Sequence, residues 1–161
     1  MLIEIIGLVF SIIVGTIGHF LYDWSNRNSL LGFLFAKSES TWEHIKLGVT
    51  PIMLWTIIEL LTTNLNCLFF AKFISIIVFM LLLLVFYYSY KYFFSKNNMF
   101  YDIALFYFCL AISFIVSIVI IKSINCNYIL SIVGFIGFCS IIYLYVKFNK
   151  KTPELIIFKE P

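Results

Sequence analysis

Both histidines of the chain fall in one polar stretch. His19 and Asp23 stand four residues apart at the end of one apolar block. Glu39 and Glu43 stand four apart at the start of the next, and His44 follows at once. A step of four keeps side chains on neighbouring parts of a helical face, so adjacent blocks would bring two imidazoles and up to three carboxylates together. Such a donor set suits a divalent ion such as zinc, iron or manganese, with His19, Asp23, Glu39 and His44 as ligands. Glu39 and Glu43 are the candidate catalytic carboxylates, because a partly buried carboxylate beside an imidazole can exchange protons near neutral pH. The same residues also read as a structural latch, in which Glu43 with Lys46 and Asp23 with Arg27 are ordinary helical ion pairs. The stretch contains no HExxH, GxSxG or phosphate-loop pattern.

The elements that carry these residues are built for lipid. Of 161 residues, 63% are hydrophobic and 12% charged, about half the charge of a soluble domain, and the mean hydropathy is +1.05. A soluble globular class is thereby excluded, and no basic and aromatic motif points to nucleic acid. About 20 mostly apolar residues cross a bilayer as a helix, and five blocks qualify, near 2–22, 41–63, 67–90, 101–121 and 128–147. The expected architecture is an all-α bundle of five transmembrane helices, a single domain over 1–148 with a tail over 149–161. The first block carries Glu4, has no preceding basic residue and lacks a small-residue cleavage site, so it is expected to remain in the mature protein. Arg27, Lys37, Lys46, Lys91, Lys96, Lys147, Lys150, Lys151 and Lys159 collect on one side of this topology, against Lys72 and Lys122 on the other. The positive-inside rule then puts the N-terminus outside and the C-terminus in the cytoplasm.

Small residues recur along three spans, as expected for close helix packing in lipid: Gly7, Ser11 and Gly15; Cys109, Ser113 and Ser117; Ser131, Gly134, Gly137 and Ser140. Continued at the same step, the first stripe reaches His19 and Asp23 and turns both toward the bundle. Glu59 and Lys72 lie at similar depth and are expected to form a structural ion pair, since an unpaired ion in a span is costly. Glu4, at the rim, is expected to be solvated. Cys67 and Cys126 share the outer side, where a disulfide is possible in an oxidising compartment. Ser40 to Glu43 fits a capping box for the second span, inside which Pro51 is expected to cause a kink. The apolar run Leu30 to Ala36 is too short to cross and is expected in the interface or against the bundle.

Gly18-His19-Phe20-Leu21-Tyr22-Asp23-Trp24-Ser25 and Glu39-Ser40-Thr41-Trp42-Glu43-His44-Ile45-Lys46-Leu47, with Pro51, resemble the paired signature of small bacterial multi-pass membrane proteins that carry a domain of unknown function. The resemblance is specific over the first third of the chain and extends beyond it as a hydropathy pattern. It implies an integral protein of a bacterial inner membrane, without an assigned activity. Three function classes stay open at this point: a metal-dependent enzyme acting on an interfacial or lipid-like substrate, a scaffold that self-associates through its small-residue stripes, and an oligomeric transporter of a small solute or ion.

Overall fold

The computed structural model describes residues 1–64, 67–93 and 99–159. Among them the chain is helical without strands, in the order α1 (Leu2–Trp24), α2 (Ser29–Leu34), α3 (Thr41–Thr62), α4 (Leu68–Phe93), α5 (Met99–Ser123) and α6 (Tyr128–Lys150), followed by one short 3-10 turn, Ile156–Phe158. Five of these helices, α1 and α3 to α6, are long and apolar enough to cross a membrane. Apolar runs of this length become helices because hydrocarbon offers no partner to a free backbone amide or carbonyl, and a helix satisfies both within itself.

Polar side chains set several helix ends. Asn28 caps α2 and Asn127 caps α6 through their side-chain oxygens. Ser40 Oγ accepts from the Glu43 amide at 3.4 Å, but the expected capping box is only half made. The Glu43 carboxylate accepts from the Lys37 amide and pairs with Lys46 instead. After α1 the chain reverses through Asn26 and Arg27 in the left-handed region, closed by a bond from the Arg27 amide to the Tyr22 carbonyl.

Helix α3 is the centre of the bundle. It packs against α1, α4 and α2, while α4 packs also on α5 and α6, and α1 on α5. Burial runs all around the first half of α3, from Ile45 to Ile52, and continues on one face to Glu59, although it is the least apolar of the five long helices. Glycines permit the closest approaches: a Cβ on Gly48 would enter the Phe79 ring, one on Gly7 the Trp55 indole, and one on Gly134 the backbone of Phe70. The stripes of α1 and α5 are buried at Gly7, Ser11 and Gly15 and at Cys109, Ser113 and Ser117. Of the α6 stripe, Gly134 is buried and Gly137 partly so, while Ser131 and Ser140 are exposed.

One end of the bundle gathers Met1, the end of α3 and the starts of α4 and α6; there Cys67 and Cys126 are joined as a disulfide, with Cα atoms 5.4 Å apart. The other end holds His19 and His44. Of the nine cationic residues assigned to that side, Lys96 lies outside the described residues.

Candidate metal centre at the histidine end

Helix α1 delivers His19, the segment before α3 delivers Glu39, and the first turn of α3 delivers His44. One ligand atom from each of the three lies within 4.8 Å of the other two. Glu39 Oε2 is 3.6 Å from His44 Nε2 and 3.8 Å from His19 Nε2, and the two imidazoles meet edge to face at 5.5 Å. The side chains are 35%, 63% and 31% exposed for His19, Glu39 and His44, so the group is open on one side.

His44 is held in a specific state. Its Nδ1 lies 3.1 Å from the Ser40 carbonyl. A carbonyl oxygen only accepts, so Nδ1 carries the proton of this bond. In the neutral ring Nε2 is then a free lone pair, and it is Nε2 that faces Glu39 and His19. Anchoring one ring nitrogen on a carbonyl to present the other is how metal-ligating histidines are commonly oriented.

Asp23 and Glu43 do not join this group. Asp23 is exposed and lies outside the cluster. Steps of four advance about 40° beyond a full turn on a helix of 3.6 residues per turn, so the stripe that begins at Gly7 has rotated away by Asp23. The buried face of α1 instead follows Gly7, Ser11, Gly15 and Gly18. Glu43 is buried in a latch. Lys46 Nζ lies 2.7 Å from Glu43 Oε2 and donates to the Gly32 carbonyl at 2.8 Å and to Asn149 Oδ1 at 3.1 Å, which uses all three ammonium protons. One turn on, Thr50 Oγ1 donates to the Leu34 carbonyl at 2.6 Å, and the Tyr145 hydroxyl reaches the same carbonyl at 2.9 Å. Residues 30–36 are thus tied against α3 and α6. The tail returns to the same region, with Phe158 packed 5.2 Å from Trp42.

The histidine cluster opens on a pocket of about 430 Å³ between α1, α3, α4 and α5, with His19, Glu39, His44 and Asp102 at its polar part and Leu47, Leu83, Leu105 and Phe106 among its apolar walls. Asp102, in the first turn of α5, lines the same pocket as His44 and Glu39. Sequence reading passed over Asp102 because it stands alone at the start of an apolar block, and only the packing of α5 on α1 brings it to the histidines.

At the rim of the opposite end the structure departs from the expected solvated carboxylate. Glu4 is not solvated but buried: its Oε2 lies 2.7 Å from Lys72 Nζ, and its Oε1 accepts from Ser117 Oγ at 2.9 Å. Lys72 Nζ also stands 2.8 Å from Glu59 Oε2, so the group is a triad rather than a pair. The physical reason is register: Glu4 lies three residues before Gly7, on the face of α1 that packs inward.

No curated protein and no solved structure matches the chain. Residues 2–161 match a family described as a family of unknown function.

Proposed function

The chain belongs to DUF6512, a family of unknown function, and from the chemistry of its site we propose that it is a multi-pass membrane protein holding a divalent transition metal between His19, Glu39 and His44. Zinc is the simplest fit, because two imidazoles and one carboxylate are a known zinc donor set that leaves a position open for water or substrate. The observation that carries the reading is the His44 ring, fixed by Ser40 with its free nitrogen toward Glu39 and His19. Ligands at about 2 Å from an ion would draw the three groups closer together, and Glu39, the most exposed of them, has room to move.

The open position would face an apolar pocket at the end of the bundle, which suits a lipid-like substrate with its polar group at the metal. In this reading Asp102, rather than Glu43, is the carboxylate placed to hold or move a proton beside the ion, since Glu43 is committed to Lys46. The excess of Lys and Arg at this end supports placing the site and the 149–161 tail on the cytoplasmic side, in what this reading takes as a single membrane domain of a bacterial cell. Elemental analysis of the detergent-purified protein tests the reading. Near-stoichiometric metal that is lost in His19→Ala and in Glu39→Ala is expected, and a metal-free wild type overturns it.

The exposure of Glu39 and its two ion-pair distances favour one rival, a non-enzymatic assembly module in which Glu39 bridges two protonated histidines. There His19→Ala would lower thermal stability and change no bound metal.

A further inference from the structure

A second cluster of ionisable groups lies at the disulfide end, away from the histidines, and each member comes from a different helix. Glu4 on α1, Glu59 on α3 and Lys72 on α4 are all buried, with Lys72 and Glu59 fully so, and Ser117 on α5 completes the group. Lys72 also sits 5.0 Å from the centre of the Phe114 ring. The charges do not balance. One ammonium faces two carboxyl groups, so full ionisation leaves a net negative charge within helices that are long and apolar enough to span a membrane, where an uncompensated ion is costly.

The hydrogen-bonding geometry resolves the imbalance. Glu4 has two aligned donors, Lys72 on Oε2 and Ser117 on Oε1. Glu59 has none: its Oε2 is close to Lys72, but neither of its oxygens meets an aligned protein donor. The Glu4 and Glu59 carboxyls nevertheless close on the same Lys72 Nζ, at 2.7 and 2.8 Å, so a single ammonium stands between them. Two ionised carboxylates only accept, so a bond between them requires a proton. Like-charged carboxyls forced together share a proton in this way in other buried acid pairs.

We propose that Glu4 and Glu59 form a buried proton-binding site, in which one proton is shared between the two carboxyls and Lys72 neutralises the charge that remains. The charged groups acting on Glu59 are Lys72 and Glu4. Lys122, at the same end, is exposed and placed against Met1 Sδ. Loss of the proton would leave two carboxylates on one ammonium at the junction of α1, α3 and α4, so proton binding and the packing of these helices are linked.

Infrared spectra of the full-length protein in detergent at neutral pH, taken in H₂O and D₂O, test the proposal. Wild type is expected to show the carbonyl stretch of a protonated carboxylic acid, shifted in D₂O. Glu59→Gln and Glu4→Gln should each lose it, because the carboxylate left behind pairs one to one with Lys72. Absence of the band in wild type, or its survival in both variants, overturns the proposal. So does its loss when sodium chloride replaces choline chloride at equal ionic strength, which would make the pair a sodium site. If a glutamine variant fails to fold, Lys72→Met decides: a stronger band than wild type, as the second carboxyl takes a proton, supports the shared proton, and an equal or weaker band counts against it.

Discussion

Lys46 Nζ stands 2.7 Å from Glu43 Oε2, with both side chains buried in the first turns of α3. This pair holds the α1 to α3 connection in place, because the same ammonium also reaches the Gly32 carbonyl and Asn149 of α6. Lys46→Met should strand the Glu43 carboxylate, and breaking a buried pair on one side typically costs about 3–5 kcal/mol. Thermal unfolding in detergent should show a large fall in Tm, and adding Glu43→Gln should restore much of it. Equal stability of the single variant and wild type would mean that the pair does not hold the connection.

Gly134→Ala should loosen the contact between α4 and α6, because the added methyl meets the Phe70 backbone, which cannot turn aside as a side chain can. Overpacking of this kind costs about 1–3 kcal/mol. A control such as Ser140→Ala, at an exposed position of the same helix, should leave Tm nearly unchanged. The difference between the two variants is the quantity to measure.

Alkylation with a maleimide after denaturation should label Cys109 and Cys139 without reductant, and Cys67 and Cys126 only after reduction. Peptide mass mapping reads this directly. Labelling of all four without reductant would mean that the disulfide does not form in the cell.

Leu105→Trp should fill part of the pocket while leaving His19, Glu39 and His44 in place. Metal content is expected to stay at the wild-type level while binding of a fluorescent fatty-acyl probe falls. Loss of metal together with the probe would mean that the wall and the cluster cannot be separated, and unchanged probe binding would exclude the pocket as the place where a chain enters.

A reporter fused after the last residue is expected to be active in the cytoplasm and silent outside it. The opposite result would invert the whole topology and place the histidine cluster on the other face of the membrane.

The helices were legible because a span in hydrocarbon is fixed by length and hydropathy, properties of one segment at a time. Their ends drifted by a few residues, as at α4, which runs on to Phe93 rather than stopping near 90. His19, Glu39 and His44 were legible as a group because they flank a single short connection. What escaped depends on register between distant segments. Asp102 comes to the histidines' pocket only through packing of α5. Glu4 looked solvated because a carboxylate three residues from an N-terminus usually is, though its place on the Gly7 face was a signal that it turns inward. Asp23 was placed by extending a four-residue step too far along a helix that turns every 3.6 residues.

The central position of α3 bears on how the protein is made. This helix carries Glu43, Lys46 and Glu59 yet is the most enclosed of the five. Lys72, the partner of Glu59, is synthesised after it, as are Asn149 and Tyr145 on α6. During translation α3 therefore emerges before several of its polar partners exist, and its full set of buried contacts has to wait for later segments. Biogenesis of this bundle is in that sense a delayed assembly around its least lipophilic helix rather than a simple sequence of independent insertions.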